Sequence, residues 1–413
     1  NGYKLYLGDG AQIVPPADLE IEAATRAVGP LADVPVAAPD DPLITRLGDE
    51  IADAYLDAVC AQSPAPKGAA WLRFTYTPLH GVAGDLALRA FERAGFPAPD
   101  VVTAQFEPDP DFRTVAFPNP EVPGALDLAL AEARRTGAEL VIANDPDGDR
   151  LAVAVADDAA SGGWRTLTGD QVGALLGAYL LGRDAARAGG PGGPGGAGDG
   201  RPLVVSTIVS ATLLASIARA AGAAYAETLT GFKWIARAGD LTPEARFLFG
   251  YEEALGYSVG TTVRDKDGIG AALALLSLAA RARAGGETLL EAYDALEAAH
   301  GVHLTEQITV PTTEPVEVMS RLRIEAPAEL AGQAITSTSD LTGGTGELPS
   351  ADVLRYWLPG ARVVIRPSGT EPKIKAYLEV VEPVIAGRLT EARRAARARM
   401  DPLREAVREL LNG

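Results

Sequence analysis

The stretch Glu139–Ala156 reads ELVIANDPDGDRLAVAVA. An apolar run, Leu140–Ala143, leads into Asn-Asp-Pro-Asp-Gly-Asp-Arg, and a second apolar run, Leu151–Val155, leads out. Short apolar runs bounded by turn residues predict two buried strands joined by a tight loop. Asp145, Asp147 and Asp149 sit at i, i+2 and i+4 on that loop. Three carboxylates so close repel one another unless a cation holds them. Oxygen ligands select a hard divalent ion, and Mg²⁺ fits best if a phosphate oxygen completes its shell. A calcium EF-hand is excluded, because Arg150 and Ala156 stand where Gly and Glu are needed. The competing reading is an acidic surface turn, since Pro-Asp-Gly is common turn chemistry.

Outward from this loop, strand, turn, helix and strand recur twice. Trp71–Thr77 is strand-like, Gly81–Ala94 helical and Val101–Phe106 strand-like. Then Leu203–Ile208 is strand-like, Ala211–Ala221 helical and Ala224–Leu229 strand-like. Each predicts a βαβ unit with parallel pairing, and their spacing of about 130 residues suggests two similar α/β domains. Ala188–Pro202, AGGPGGPGGAGDGRP, cannot pack a core and reads as a linker. Ser63–Gly68, SPAPKG, is a shorter break after a helical stretch, Ile44–Cys60. Ile269–Ala280 reads as a buried helix. Beyond His303 come strands at Thr305–Val310, Ala361–Arg366 and Ile374–Val380, then a charged helix from Leu389 to Leu411. The expected fold class is multi-domain α/β: repeated α/β domains with mixed or parallel sheets, plus a smaller α+β C-terminal domain. The expected divisions are 1–65, 66–166, 167–304 and 305–413.

Other segments carry chemistry. In Val363–Lys375, VVIRPSGTEPKIK, Arg366 offers a bidentate fork, Ser368 and Thr370 offer hydroxyls, and the Gly369 amide allows close approach. That set suits a phosphate, against the simpler reading of a β-turn beside a salt bridge. In Phe249–Tyr257, FGYEEALGY, the adjacent acids Glu252 and Glu253 can accept hydrogen bonds from vicinal hydroxyls, as of a sugar, or can be acids at a helix start. Within Arg264–Gly268, RDKDG, Asp267 reads as the cap of the apolar helix. Thr228–Trp234, TLTGFKW, presents Lys233; Asn1–Lys4, NGYK, presents Lys4; and in Tyr76–Gly81, YTPLHG, His80 reads as structural.

Composition narrows the class. The 413 residues imply two to four domains, and 47% hydrophobic with 22% charged residues is ordinary for a globular chain. A net charge of −18 argues against nucleic acid or an anionic membrane as partner. One cysteine, Cys60, excludes an internal disulfide and a thiolate-rich metal site. No apolar run is long enough to span a membrane. Only six of 37 basic residues are Lys: Lys4, Lys67, Lys233, Lys266, Lys373 and Lys375. A retained Lys is a candidate for proton transfer, which Arg cannot perform; Lys67 reads as a solvated side chain.

Taken together these segments resemble the α-D-phosphohexomutase superfamily, the phosphoglucomutase and phosphomannomutase enzymes. The matching order is NGYK, GDGAQIVPP, TPLHG, DPDGDR, TGFKW, GYEEALGY, VRDKDG and RPSGTEPK, from Asn1 to about Tyr377. The resemblance implies four domains around one cleft. It implies Mg²⁺ on Asp145, Asp147 and Asp149, and a substrate phosphate on Arg366, Ser368, Gly369 and Thr370. It implies Glu252 as reader of sugar hydroxyls, with Glu253 and Arg150 in the same substrate site. Lys233 and Lys373 become secondary phosphate or sugar contacts, and Lys4 the general acid/base. Such a base is expected to have its pKa lowered by burial or neighbouring cations. Two departures stand out. Ala254 occupies a place where some members carry Ser. The family's phosphoserine loop, Thr-Ala-Ser-His-Asn-Pro, precedes NGYK, and no Ser-His-Asn occurs here, so either the nucleophile lies upstream of Asn1 or the protein lacks it.

The expected function is a Mg²⁺-dependent phosphosugar mutase, cytoplasmic, monomeric or dimeric, interconverting hexose 1-phosphate and 6-phosphate. Hexose 1,6-bisphosphate is the expected intermediate and activator. The alternatives are a phosphopentomutase of the same superfamily and a non-catalytic sugar-phosphate binding protein. A haloacid-dehalogenase-type enzyme also uses Asp-x-Asp after a strand, but Asp149 stands where it needs Thr or Val.

Overall fold

A computed structural model describes residues 3–187, 200–346, 348–369 and 371–412. Most of the predicted linker, Ala188–Pro202, lies outside these residues, and so does Thr370. The chain opens with helices α1 (Ala17–Ala27) and α2 (Glu50–Gln62). A mixed sheet follows: β1 (Phe74–Thr77), helix α3 (Gly84–Ala94), β2 (Asp100–Val101), helix α4 (Asp127–Thr136), β3 (Leu140–Ala143), β4 (Ala152–Ala156) and β5 (Trp164–Thr166). Its strand order is β2-β1-β3-β4-β5, with β4 and β5 antiparallel to their neighbours.

Helix α5 (Gly169–Arg187) leads into a second sheet. There β6 (Arg201–Thr207), helix α6 (Leu213–Ala220), β7 (Ala224–Thr228), helix α7 (Phe232–Ile235), β8 (Ala245–Glu252) and β9 (Gly256–Val259) take the order β7-β6-β8-β9. Here only the last strand, β9, is antiparallel to its neighbour. The two sheets share one plan: the first strand lies inside, the second at an edge, and a hairpin joins third to fourth. The loop bearing Asp145, Asp147 and Asp149 and the loop bearing Glu252 and Glu253 therefore sit at the same hairpin in two copies.

Helix α8 (Gly268–Ala284) binds the two units together. Thirteen of its 17 residues are buried, so it is apolar on every side. It packs on α2 and α3 from one unit and on β9 and α5 from the other, inside one continuous core. Asp267 caps it as expected, accepting from Gly270 N at 2.8 Å, a bond worth about 1 kcal/mol.

Helix α9 (Leu289–His300) precedes the third sheet: β10 (Val302–Pro311), helix α10 (Pro315–Ile324), the small hairpin β11 (Glu329–Leu330) and β12 (Gln333–Ala334), then β13 (Ser337–Asp340), β14 (Leu354–Leu358), β15 (Ala361–Pro367), β16 (Lys373–Glu382) and helix α11 (Leu389–Asn412). The five-stranded order is β10-β16-β15-β14-β13, all antiparallel.

Several expectations shift. The helix expected from Ile44 begins at Glu50. Leu56, Val59 and Cys60 of that helix join the central core, and Ala65 N donates to Ala94 O at 2.8 Å. The Ser63–Gly68 break is thus a turn within a packed unit, not a boundary. The strand expected over Val101–Phe106 is two residues long and turns into a 3₁₀ segment at Thr103–Gln105, because Val102 N bonds back to Tyr76 O. The third sheet starts at Val302 rather than Thr305, since Val302 and His303 pair with Glu382 and Val381.

Candidate active site

The Asp loop joins β3 to β4 and is shaped by its neighbours. Asn144 donates to Arg150 O at 2.6 Å and accepts from Tyr76 OH at 3.0 Å, closing the loop at its base. Asp145 Oδ1 accepts from Arg150 N at 2.9 Å. The TPLHG segment buttresses the outside: Val82 N donates to Pro146 O at 2.9 Å, and a Cβ on Gly81 would fall 2.4 Å from Pro146 Cα. His80 is buried, with Nε2 against Thr114 Oγ1 at 2.8 Å, which fits its structural reading. From the other side comes the start of α8, where a Cβ on Gly268 would lie 2.2 Å from Arg150 O. The first turn of that helix lies against the loop's backbone carbonyls, Arg150 O and Gly148 O.

So built, Asp145, Asp147 and Asp149 each aim an oxygen inward, all within 4.8 Å of one another. Two lysines meet them. Lys4 Nζ is 2.8 Å from Asp147 Oδ2 and 2.5 Å from Asp149 Oδ2. Lys266 Nζ is 3.2 Å from Asp149 Oδ2 and 3.4 Å from Asp265 Oδ1. Burial, with Asp149 adding to it, pushes Asp145 up to about 6. Burial is the largest influence on Asp147 and pushes the same way, but the bond to Lys4, the Lys4 charge and hydrogen bonds within the loop together hold its pKa below the usual value. For Lys4 burial disfavours the charge, and the two carboxylates more than offset it, so its pKa is raised. This corrects the expectation of a lowered pKa: the neighbours of Lys4 are acids, not cations.

The sugar loop abuts the Asp loop. Arg150 and Gly256 form an isolated antiparallel bridge, and Leu151 N donates to Leu255 O at 3.1 Å. Glu252 ends β8 beside Lys266: a Cβ on Gly256 would touch Lys266 Cδ at 2.5 Å and Glu252 Oε1 at 2.9 Å. Desolvation raises the Glu252 pKa against the pull of Lys266. Glu253 turns the other way, 3.3 Å from Thr207 Oγ1 and 3.4 Å from Ser210 Oγ. Burial, with Glu252 and Asp170 nearby, pushes it up to about 8. It lines a cavity of about 350 Å³ with Glu121, Gly169, Thr305, Gln307 and Tyr377, where the three sheets meet. Arg150 stands between loops, 3.6 Å from Asp145 Oδ2 and 3.8 Å from Glu121 Oε2.

The expected phosphate loop caps the β15–β16 hairpin. Ser368 N donates to Lys373 O at 2.9 Å, and Lys373 Nζ is 2.5 Å from Glu371. Space around Gly369 is open. Thr370 lies outside the described residues. The Tyr377 hydroxyl is held up by burial and by Glu253, against the charge of Arg366. Along the same strand face, Arg366 pairs with Lys375, Val364 with Tyr377 and Arg362 with Glu379. Arg362 is anchored on the second sheet's unit, donating to Ser210 O at 2.6 Å and Ile208 O at 3.1 Å, and is 2.9 Å from Glu379. Lys233 stands apart on α7, its ammonium 5.6 Å from the Trp234 ring centroid.

Sequence reasoning missed Lys266, Tyr6, Asp265 and Glu121. The signal for Lys266 was present, in RDKDG and in the scarcity of Lys. Reading that segment only for its helix cap hid it.

Known proteins share this arrangement. Models of the phosphoglucomutase/phosphomannomutase family match three parts: alpha/beta/alpha domain II at residues 53–160, alpha/beta/alpha domain III at 168–299, and the C-terminal domain at 316–396. The chain belongs to the phosphoglucomutase/phosphomannomutase family. It is 40% identical to a probable phosphomannomutase of Haemophilus influenzae, over 92% of this chain and 74% of that protein. It is 35% identical to a probable phosphoribomutase of Schizosaccharomyces pombe, over 92% and 68%. It is 32% identical to a mouse phosphopentomutase, over 93% and 65%, so it spans a little under two thirds of that relative. A putative phosphomannomutase from Thermus thermophilus shares the fold, with a TM-score of 0.60 at 21% identity over 88% of this chain and 66% of that one. Family relatives named as mutases support a phosphosugar mutase. Among the described residues, no helix is long and apolar enough to cross a membrane.

Proposed function

We propose that this protein is a Mg²⁺-dependent mutase moving a phosphoryl group between the two ends of a sugar phosphate, hexose 1-phosphate and 6-phosphate foremost, through a bisphosphate intermediate. One observation carries the reading: the Asp loop and the sugar loop meet edge to edge at Arg150 and Gly256, with Lys4 and Lys266 on the acids of the Asp loop. A cation-binding loop is thereby fixed beside a hydroxyl-reading one.

The residues fit a hard divalent ion. Asp145, Asp147 and Asp149 offer three oxygens within one ion's reach, on a loop braced from outside. Mg²⁺ there would neutralise charge on the transferring phosphoryl group. Lys4, an ammonium in this arrangement, holds a proton at Nζ beside that loop and can donate it to a sugar or serine oxygen. Glu252 accepts from sugar hydroxyls, with the charge of Lys266 close by. Arg366 and Ser368 hold the far phosphate, with Gly369 leaving room. A distal site on its own sheet can serve either end of the sugar once the intermediate turns over. The resemblance puts the phosphoryl carrier on a serine that precedes NGYK in motif order.

A pentose phosphate is the second reading. It is favoured by the relatives named phosphoribomutase and phosphopentomutase, and by Ala254 in place of a hydroxyl beside Glu252. Specificity constants for glucose, mannose and ribose 1-phosphates, measured on the complete protein with Mg²⁺ and a bisphosphate activator, separate the two. Turnover of ribose phosphate at least about tenfold above both hexoses would replace the hexose reading with the pentose one.

A further inference from the structure

Lys4 sits at the root of a small hairpin. Tyr6 and Gln12 form an antiparallel bridge, Leu7 N donates to Ala11 O at 3.0 Å, and Ile13 N donates to Leu5 O at 3.0 Å. Apolar burial does not hold this hairpin down: from Tyr3 to Glu50 only Ala11 is buried. Its polar contacts converge from the second sheet's unit. Arg237 Nη1 is 2.6 Å from Asp9 Oδ2, and its Nη2 donates to Gln12 O at 3.0 Å and reaches Ala11 O at 3.5 Å. Arg264 Nη1 donates to Asp9 O at 3.2 Å. Tyr6 OH donates to Asp265 Oδ2 at 2.5 Å.

Arg237 is the centre of this set. Its side chain is only 16% exposed, and Asp9 is its one carboxylate partner among the described residues. A guanidinium so enclosed, forked between a carboxylate and backbone carbonyls, fixes geometry as well as charge. It lies just past α7, whose Phe232 ring sits under the Lys266 ammonium at 5.6 Å and whose next residue is Lys233. A single helical turn therefore touches the Lys4 hairpin, the second lysine of the Asp loop and the TGFKW segment.

We propose that Arg237 is a positioning residue: its grip on Asp9 and the Gln12 carbonyl sets the 4–12 hairpin, and Lys4 with it, against Asp147 and Asp149. Its effect on turnover rests on the mutase reading, whereas its effect on the hairpin does not. Movement of the TGFKW turn on ligand binding would then be felt at Lys4.

The test uses the complete protein with two readouts, amide hydrogen exchange over residues 4–13 and steady-state kinetics. Arg237→Ala should speed exchange at Leu7, Gly10 and Ile13 about tenfold or more and leave Leu140–Ala156 unchanged. It should lower kcat about tenfold or more while KM moves less than about threefold. Asp9→Asn, at a more exposed position, should reproduce both effects and serves if Arg237→Ala does not fold. Unchanged exchange over 4–13 or a rise in KM alone would overturn the proposal. If the unaltered protein turns over no phosphosugar, the mutase reading falls and exchange alone decides the clip.

Discussion

The Lys4 ammonium stands 2.5 Å from Oδ2 of Asp149, across 145 positions of sequence. The contact ties the exposed N-terminal hairpin to the loop that offers three carboxylates. It also puts a fixed cation where a divalent ion would sit close by, so lysine and metal share the same acids.

In the complete protein, removing that cation should leave the loop more negative. Lys4→Met should bind Mg²⁺ as tightly as the unaltered protein or a few-fold tighter, measured by calorimetry, while losing nearly all turnover. Asp147→Asn should weaken Mg²⁺ at least about tenfold, with little change in Tm, since Asp147 is exposed. A Lys4→Met protein that binds Mg²⁺ more weakly would show that Lys4 helps build the metal site.

Arg366 is assigned to a phosphate, not to a particular hydroxyl. Arg366→Ala in the complete protein should therefore raise KM for every sugar phosphate tried, by about 1.5–3 kcal/mol of lost binding. Calorimetry with a substrate analogue checks it. Unchanged binding would make the β15–β16 turn a structural feature only.

Glu252 is assigned to hydroxyls. Glu252→Gln keeps the shape but turns one acceptor into a donor. The ratio of kcat/KM between glucose and mannose 1-phosphates, again for the complete protein, should shift about tenfold as turnover falls. A constant ratio would take Glu252 out of substrate recognition.

The seam between the second and third sheets should be sensitive to acid. Burial works against charge on Glu379, but Arg362 outweighs it, with help from bonds given by His303 and the Thr212 amide, and the pKa is held down to about 2. The unfolded glutamate titrates near its ordinary 4.5. Since the folded pKa is depressed, this stabilisation is complete above about pH 4.5 and is lost as pH falls towards 2. The loss is on the order of 3 kcal/mol. Acid unfolding followed by circular dichroism should show Glu379→Gln less stable at neutral pH and with a shallower decline below pH 4.5. An identical acid slope in both proteins would contradict the assignment.

Much of the fold was legible because its signals are local. The LVIA and LAVAV runs around DPDGD announce a buried hairpin within 18 residues, and the two βαβ units repeat one spacing. Asp267 was readable as a cap because a cap reports on the three residues after it. What escaped was long-range. Tyr6 meets Asp265 across 259 positions and Arg237 meets Asp9 across 228, and no periodicity encodes either pairing. The one-sided expectation for Lys4 failed for the same reason, as its acidic neighbours come from a loop more than 140 positions away.

The central claim is that this site moves a phosphoryl group between the ends of one sugar. Phosphorus NMR on the complete protein, given glucose, mannose or ribose 1-phosphate with Mg²⁺ and a trace of the matching bisphosphate, tests it most directly. The account predicts conversion of at least one 1-phosphate to its terminal-hydroxyl ester without release of inorganic phosphate, and loss of that conversion in Asp147→Asn. A folded complete protein that leaves all three sugars unchanged, or that only releases inorganic phosphate, would contradict it.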